Sequence, residues 1–571
     1  MFILLKTRKK IQKENCIVTS AIFLLQIFLL YSTTVFAAVS PDQINMALSQ
    51  ELNKYPEELI GLDWYDAGMK CQDQWLTAVY HGLGIHPLWV NENGPTGQAE
   101  HIFAALKSAD DDGLNPSDYG VHRIASAWRS RTAAQLARLD IDLTLGLLAF
   151  IYDMREGRLA PRLQNLKLFD QAGCVIFDPI ASISEARNAT DMATYLAGLA
   201  PDHRHYRVLK QQLQRYRNIS AQGGWPYIGS GKTLYPGESD TRIPAVRRLL
   251  SITGDHHAAA EMSQYLYGYE LEQAVNEFQD RHGLQVDGII GKRTLAALNV
   301  SVKNRIRQIL INMERWRWTE RELGFKYVLV DIAGFGLQGV VDDVVQLEMR
   351  VIVGKEHHET PVFSDTIKYI DFNPFWNITP DIARNEMLEK LREDSSYLDS
   401  KHIRLFSSWQ ADGVEIVPQS IDWNQVSEEQ ISRYKLRQDP GPWNALGVVK
   451  FVFPNKYSVY IHDTPGRDLF DKTDRAFSHG CIRLSEPKQL VEFLLADSDV
   501  RWTQEMIGEV IDTAERKVVR LQPPIPVHLV YQTAWGDKNG GMHFNKDLYG
   551  RDQQLVRALF GESILTGQDL Q

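Results

Sequence analysis

The spacing of apolar residues divides this chain of 571 residues into stretches with different periods. From about residue 40 to 235 apolar positions recur three or four residues apart, as at Ile102, Leu106 and Ala109, which is typical of helices. Glycine and proline at 113–116 and 223–226 break these helical runs. The region contains no recognisable grouping of catalytic side chains. We therefore predict a mainly helical scaffold domain over residues 38–237.

Residues 238–300 have a different character, because short apolar helix faces alternate there with glycine turns. They include the motifs Ala274-Val275-x-x-Phe278-Gln279, Gly283-Leu284, Asp287-Gly288 and Gly291-x-x-Thr294. These motifs resemble a small three-helix peptidoglycan-binding module. Glycan binding is implied by that resemblance alone, since the same residues also serve simply to close helical turns.

A connecting helix over residues 301–322 is predicted next, from apolar positions that share one helix face between Val302 and Trp316. β-Branched and aromatic runs at 327–330, 349–353, 367–372, 448–452 and 457–462 then predict strands. Residues 381–436 interrupt the strands, first with a charged helical stretch and then with irregular sequence. The predicted fold is thus multidomain α+β, with a β-rich domain over 323–520, a helical insertion at 381–436 and a C-terminal segment at 521–571.

The first 37 residues have the pattern of an export signal. Basic residues between Lys6 and Lys13 precede a mostly apolar stretch at 17–36, and Val35-Phe36-Ala37 ends it with small residues suited to cleavage. An apolar run of about 20 residues is also long enough for a membrane anchor. Export is expected either way, with cleavage favoured and anchoring left open.

Three cysteines remain after export, namely Cys71, Cys174 and Cys481. An oxidising compartment permits one disulfide and leaves an odd, reactive thiol. A bond between Cys71 and Cys174 would leave Cys481 free, although both could equally be buried thiols. The net charge of −10 and the lack of a sustained basic run argue against nucleic acid as a partner.

The strongest chemical signal is the segment Ser478-His479-Gly480-Cys481-Ile482-Arg483, preceded by His462 at a predicted strand end. A thiol nucleophile needs a base to take its proton, and a glycine beside it lets backbone N–H groups face a developing oxyanion. A buried, inert cysteine is the ordinary alternative. Zinc bound by His462, His479 and Cys481 is a second alternative, but no C-x-x-C pair accompanies them.

The combination His462-(x15)-Ser478-His479-Gly480-Cys481 resembles the signature of the L,D-transpeptidases, the cysteine enzymes that cross-link bacterial peptidoglycan. The domain order resembles that of the large periplasmic members from Gram-negative bacteria. The resemblance implies that residues 323–520 are the catalytic domain, with 381–436 as a lid that closes over the site. A subdomain without a catalytic role is the alternative to the lid.

The resemblance also assigns roles to residues. Cys481 is the expected nucleophile, His462 its base, His479 a supporting group, and Gly480 a source of oxyanion-binding amides. The residues expected to bind substrate are Tyr460, Ser478, Arg483, Trp376 and Asn444. No metal or other cofactor is expected.

The expected reaction forms a thioester with a stem peptide, releases D-alanine, and joins the third-position diamino acids of two stems. Stem peptides, carbapenem-type β-lactams and cell-wall synthases are the partners implied, in the periplasm, with the inner membrane as a place of anchoring. Two alternatives stay open. Water could replace the acceptor amine, giving a carboxypeptidase or endopeptidase, or the protein could be a non-catalytic peptidoglycan-binding scaffold.

Overall fold

The computed structural model describes residues 39–53, 75–159, 177–255, 263–537 and 540–561. The predicted export signal, Cys71 and Cys174 lie outside these residues. Within them, no helix combines the length and the apolar character needed to cross a membrane.

A long, mostly buried helix organises the N-terminal region. In chain order this region contains α1 (Pro41–Leu52), α2 (Trp75–Leu83), β1 (Val90–Asn91), β2 (Gly94–Pro95), α3 (Gly97–Lys107), α4 (Val121–Ala127), α5 (Ala133–Glu156), α6 (Pro179–Asn188), α7 (Met192–Ala197) and α8 (Arg204–Ala221), with 3₁₀ turns at Ala109–Asp112 and Pro116–Tyr119. The long helix is α5, which begins with a capping box between Thr132 and Gln135. Its buried Asp140 accepts hydrogen bonds from the Tyr80 hydroxyl and from the backbone N–H groups of Leu88 and Trp89. A carboxylate inside the core thereby fixes the turn before β1.

The next unit contains three helices, α9 (Ile243–Thr253), α10 (Tyr269–Arg281) and α11 (Lys292–Leu298). Buried Gln279 explains the polar residues of the motif found here. Its amide nitrogen donates to Asp287 Oδ1 and to the Ile289 carbonyl, and its oxygen accepts from the N–H groups of Asp287 and Gly288. Gly288 has a φ of 64°, where a residue with a side chain is strained. These motif residues therefore hold a tight turn between two helices.

Helix α12 (Val302–Trp318) joins the N-terminal units to the β-rich domain. On one side Arg317 donates to the Tyr206 hydroxyl of α8. On the other, Gln308 donates to the carbonyl of Thr533, and Asn312 donates to the Thr533 hydroxyl. Since these groups are buried, the helix is bonded to both neighbours rather than lying free between them.

The β-rich domain is built on a nine-stranded sheet. The remaining strands are β3 (Lys326–Asp331), β4 (Gly336–Val341), β5 (Val344–Gly354), β6 (Phe363–Phe372), β7 (Trp376–Asn377), β8 (Ile403–Phe406), β9 (Glu415–Ile416), β10 (Lys435–Gln438), β11 (Val449–Val452), β12 (Ile461–His462), β13 (Ala476–Ser478), β14 (Ile482–Leu484), β15 (Lys517–Val530), β16 (Ala534–Gly536) and β17 (Met542–Phe544). The order in the large sheet is β13-β5-β14-β12-β11-β6-β15-β3-β4, and β4 also pairs with β5, so the sheet curls back on itself. Strand β15 runs through the predicted boundary at residue 520. The sheet therefore extends into the stretch that was expected to be a separate C-terminal segment.

The insertion is not helical throughout. Helices α13 (Pro380–Ile382), α14 (Leu388–Glu393), α15 (Tyr397–Ser400) and α16 (Glu428–Ile431), a π-helical turn at Ala383–Met387, and 3₁₀ turns at Pro418–Ser420 and Trp423–Gln425 accompany a four-stranded sheet of order β7-β10-β8-β9. The expectation of irregular sequence after residue 393 is therefore wrong. The reason is that β7 to β10 are only two to four residues long, too short for alternation to be visible.

The helices after the catalytic motif are α17 (Pro487–Leu495), α18 (Gln504–Asp512) and α19 (Arg551–Phe560), with a 3₁₀ turn at Arg467–Asp471 between β12 and β13. Helix α17 begins with a proline rather than with a capping side chain. Glu486 is the N-cap and makes no side-chain capping bond, while Pro487 occupies the first helical position. Proline is favoured there because it has no N–H to leave unpaired.

We expect Asp552→Ala to destabilise the protein strongly. Asp552 and Arg315 form a buried ion pair 2.6 Å long that joins α19 to α12, with side chains 1% and 8% exposed. Removing one partner leaves an uncompensated buried charge, which costs about 3–5 kcal/mol. Urea denaturation measures the loss. Glu415→Gln is the control, because its pair with Arg404 is largely exposed and contributes less than about 1 kcal/mol. Equal shifts in the two variants would contradict this interpretation.

Candidate active site

Three adjacent strands place charged and titratable residues in one row. Lys450 on β11 is the direct cross-strand partner of His462 on β12, and His462 is in turn the partner of Arg483 on β14. Residues directly opposite one another in a sheet project from the same face. The register therefore brings the predicted base between two cations, although the three are separated along the sequence.

Cys481 lies in the short turn between β13 and β14. The Ser478 hydroxyl donates to the carbonyl of Cys481 over 2.5 Å and accepts from the N–H of Gly480 over 3.1 Å. Gly480 has a φ of 104°, which L-residues rarely adopt. Ser478 was expected to bind substrate, but its hydroxyl is used within the motif and the residue is buried, so that its contribution in the structure is to fix the turn around the thiol.

The hydrogen bonding of His462 defines which ring nitrogen carries a proton. Nδ1 lies 2.5 Å from the carbonyl oxygen of Asp463, and a carbonyl can only accept, so Nδ1 is the donor. Nε2 of the neutral ring is then the proton acceptor. Burial, together with the positive charges of Arg483 and Lys450, lowers the pKa of His462 to about 3, although hydrogen bonds to the backbone of Asp463 and Leu446 oppose the shift. The ring is therefore neutral near pH 7.

The thiol of Cys481 is the complementary neutral partner. Burial raises its pKa, while hydrogen bonds from Tyr460 and the charges of Lys450 and Arg483 partly oppose that shift. Its sulfur lies 3.9 Å from the Ser458 carbonyl oxygen. The resting site thus contains a thiol and an imidazole, and the sulfur becomes nucleophilic only as its proton is removed.

Tyr460 lies against both catalytic candidates. Its ring centre is 5.5 Å from that of His462, and its hydrogen-bonding effect lowers the pKa of the Cys481 thiol, against the effect of burial. The Lys450 ammonium lies 3.6 Å from the centre of the Tyr460 ring. The structure therefore brings Tyr460 to the site, as the sequence analysis expected.

His479 points toward the insertion. Its Nε2 lies 2.8 Å from Oε1 of Glu386, which belongs to the π-helical turn, and its ring lies edge-on to that of His358. Burial lowers the pKa of His479, and the Glu386 carboxylate opposes that shift. The contact joins the insertion to the residue two positions before the nucleophile.

The two remaining candidates belong to the insertion and its return loop. Trp376 is in β7, opposite Gln438 of β10. Asn444 differs from the expectation of a substrate-binding residue, because it is fully buried and its side chain bonds only to backbone. Its nitrogen donates to the carbonyls of Pro374 and Asp439, and its oxygen accepts from Leu446 N–H. These bonds brace the loop before β11.

Sequence reasoning missed Lys450. Its position within a β-branched run suggested only a strand residue. Only the register of the hairpin formed by β11 and β12 would have revealed it. That register depends on the length of the loop around Pro454-Asn455, and the loop in the structure pairs Lys450 with His462. Arg483, which was predicted, has a buried Nε without a hydrogen-bond partner among the described residues.

The described residues contain no group of three or more His, Cys, Asp or Glu side chains placed to hold a metal ion. His479 is instead paired with Glu386.

We expect the rate of Cys481 alkylation by iodoacetamide to rise about tenfold per pH unit from pH 6 to 9, without an inflection near pH 6–7. The reason is that burial raises the thiol pKa and keeps His462 neutral, so that the thiolate fraction grows with pH throughout this range. Loss of the opposing cation in Lys450→Met should lower the rate at each pH. A plateau above pH 6 would show a thiolate–imidazolium pair instead.

Three family models match the chain. Residues 325–518 match the L,D-transpeptidase catalytic domain, residues 246–298 match a "Putative peptidoglycan binding domain", and residues 74–213 match a scaffold domain. A protein of Haemophilus influenzae named "Putative L,D-transpeptidase" is 32% identical over 228 residues. That match covers 40% of this chain and 45% of the relative, so the two are alike over less than half of either length.

Solved L,D-transpeptidases give weaker matches. One from Xylanimonas cellulosilytica is 16% identical, with 53% of this chain and 99% of that chain covered and a TM-score of 0.17. One from Stackebrandtia nassauensis is 13% identical, with 53% and 96% covered and a TM-score of 0.21. TM-scores this low support no further comparison. On the family models, this chain carries an L,D-transpeptidase catalytic domain at residues 325–518, together with a scaffold domain and a peptidoglycan-binding domain.

Proposed function

We propose that this protein cross-links peptidoglycan by L,D-transpeptidation through a thioester on Cys481. The observation that carries the proposal is the pairing of β12 with β14, which sets the Nδ1-protonated His462 beside the turn that holds Cys481. A neutral imidazole whose Nε2 can accept a proton is the base that a protonated thiol requires. The match to the catalytic-domain model supports the same reaction class.

In the first step the Cys481 sulfur attacks the carbonyl carbon that joins the third and fourth residues of a donor stem. His462 Nε2 takes the thiol proton and then gives it to the departing amine of D-alanine, so that the peptide bond is replaced by a thioester. The amide N–H of Cys481 binds the oxyanion, an interaction often worth about 3–4 kcal/mol per donor, whereas the N–H of Gly480 is already donated to the Ser478 hydroxyl.

In the second step an amine from the third-position diamino acid of another stem attacks the thioester. The neutral His462 accepts a proton from this amine, and the sulfur leaves with a proton returned to it. Arg483 and Lys450 flank His462 and are suited to hold stem carboxylates, since a guanidinium binds a carboxylate through two parallel hydrogen bonds. Tyr460 lines the same face.

The rest of the chain is suited to work at the cell wall. We assign residues 1–37 to export, 238–300 to glycan binding and 38–237 to a scaffold, with the reaction in the periplasm. Carbapenem-type β-lactams would acylate Cys481, because opening the strained ring by the thiolate follows the first step of the reaction. Cell-wall synthases are the protein partners that such a location suggests.

A cross-linking assay tests the proposal. Residues 38–571 incubated with purified disaccharide-tetrapeptide should give a cross-linked dimer that lacks one D-alanine, detected by mass spectrometry. Cys481→Ala should give none. His462→Gln should lose about 10²–10⁴-fold in rate and recover partly at high pH, where the thiolate forms without a base.

The product pattern separates the alternatives. Tripeptide without dimer would show that water, and not an amine, takes the acyl group, which is carboxypeptidase activity. No product that depends on Cys481 would leave a wall-binding scaffold as the function.

The insertion is suited to act as a lid over this site. Its Glu386 contacts His479, two residues from the nucleophile, and its strand β7 follows directly from the catalytic strand β6. Excluding water while an amine is admitted distinguishes a transferase from a hydrolase. The Glu386–His479 contact would hold the insertion in the closed position.

We expect Glu386→Ala to raise the ratio of hydrolysed tripeptide to cross-linked dimer severalfold, because a loosened insertion admits water to the thioester. Quantitative chromatography of both products measures the ratio. Glu389→Ala is the matched control, since Glu389 is exposed on the following helix. An unchanged ratio in Glu386→Ala, or the same change in the control, would contradict the role of this contact.

A further inference from the structure

The peptide that joins Gly480 to Cys481 is held from behind by a buried hydroxyl. The Thr360 hydroxyl lies 2.9 Å from the carbonyl oxygen of Gly480, and the N–H of Gly354 lies 2.9 Å from the same hydroxyl oxygen. Thr360 is 0% exposed. Because Gly354 N–H can only donate, it occupies a lone pair of the hydroxyl, and the single hydroxyl proton is left for the Gly480 carbonyl.

The direction of that hydrogen bond determines where the next N–H points. A trans peptide is planar, and its C=O and N–H groups point in opposite directions. With the Gly480 carbonyl drawn toward Thr360, the N–H of Cys481 points away from Thr360. No acceptor for this N–H is present among the described residues. It is thus available for an oxyanion formed at the carbon that the Cys481 sulfur attacks.

The hydrogen bond from Thr360 matters because few other contacts define the orientation of the Gly480–Cys481 peptide. Glycine readily adopts several backbone conformations, and Gly480 has a φ of 104°. Rotation of the peptide would turn a carbonyl oxygen, rather than an N–H, toward the oxyanion. The Ser478 hydroxyl bonds the neighbouring Gly480 N–H and the Cys481 carbonyl, but not the Gly480 carbonyl.

Thr360 is itself fixed by the loop to which it belongs and by the C-terminal segment. We call residues 355–360 the clasp loop. A Cβ on Gly354 would lie 2.0 Å from the His358 carbonyl, so the loop folds closely over that glycine. The Tyr549 hydroxyl donates to the Gly354 carbonyl over 2.6 Å and accepts from Thr360 N–H over 3.3 Å.

We propose that Thr360 is a positioning residue that orients the Gly480–Cys481 peptide so that Cys481 N–H serves as an oxyanion donor, with Tyr549 holding Thr360 in place. This inference rests on the proposed function, because it concerns the acyl-transfer chemistry of Cys481. It predicts that loss of the Thr360 hydroxyl slows reactions that pass through an oxyanion and spares those that do not.

Two reactions of the same sulfur separate this role from a general structural one. Acylation by a carbapenem passes through a tetrahedral oxyanion, whereas alkylation by iodoacetamide displaces iodide at a saturated carbon and forms none. Thr360→Val keeps the shape of the side chain and removes the hydroxyl. Its rate constant for acylation should fall about 10–100-fold, since loss of one oxyanion donor costs up to about 10²–10³ in rate. Its alkylation rate should stay within about twofold of the wild type.

Conservative and control variants complete the experiment. Thr360→Ser retains the hydroxyl and should acylate within about threefold of the wild-type rate. Thr366→Val makes the same substitution on the neighbouring strand β6 and should change neither reaction. If Thr360→Val does not fold, as judged by thermal unfolding, Tyr549→Phe is the test, with a smaller fall in acylation and unchanged alkylation.

The outcomes distinguish the two proposals. The role of Thr360 would be overturned if Thr360→Val were acylated at the wild-type rate, or if its acylation and alkylation rates fell in parallel. Either result in Tyr549→Phe would overturn it as well. Failure of the wild-type protein to form a carbapenem adduct on Cys481 would instead overturn the proposed function.

Discussion

The burial of His462, together with the partial burial of Cys481, is the constraint that determines how this site can work. Burial raises the pKa of the thiol and lowers that of the imidazole to about 3, so both groups rest in their neutral forms. A thiolate–imidazolium pair would place two charges in a poorly solvated position at a cost that their attraction need not repay. The proton must then leave the sulfur as the new bond forms. Hydrogen bonds accelerate the reaction most when they stabilise the charge that develops in the transition state, and here that charge develops on the oxyanion.

The base His462 is positioned by the register of a very short strand and not by a long helix or strand. Strand β12 contains only Ile461 and His462, yet it is paired on both sides, with β11 and with β14. That double pairing fixes His462 between Lys450 and Arg483. Because the side-chain period of a strand is two, a slip of one residue would turn His462 to the other face of the sheet. The short strand is therefore tolerated only because its neighbours define its register.

The sequence predicted the site well where the residues involved are neighbours along the chain. It predicted less where residues far apart in the sequence meet in the fold. Ser478, Gly480 and Cys481 form one turn, and their closeness could be predicted from their order in the sequence. The three helices of residues 238–300 and the helix α12 were likewise visible, because apolar positions recur at helical spacing over one turn or more. Lys450 and Thr360 were missed, since their relation to the site depends on pairing across separate strands and on a loop folded over Gly354.

The insertion was also only partly predictable from the sequence. Its charged first part was correctly predicted to be helical, but strands of two to four residues leave no alternation to detect. The contact of Glu386 with His479 spans more than 90 positions and follows no local pattern. Similarly, Asn444 was expected to bind substrate, whereas its bonds to backbone support the loop before β11. The resemblance therefore did not distinguish residues that bind from residues that support a loop.

The C-terminal segment belongs to the site more closely than the limits of the catalytic-domain match suggest. That match ends at residue 518, but β15 continues to Val530 in the same sheet, and Tyr549 bonds the two residues that orient Gly480. Arg551 adds an ion pair with Glu359 in the clasp loop, and Asp552 ties the same helix to Arg315 of α12. A continuous set of hydrogen bonds thus connects the peptide before the nucleophile to the helix that joins the catalytic and N-terminal units. Any movement of α12 relative to the sheet would be opposed by buried charges and would also disturb the clasp loop, because α19 carries the contacts to both.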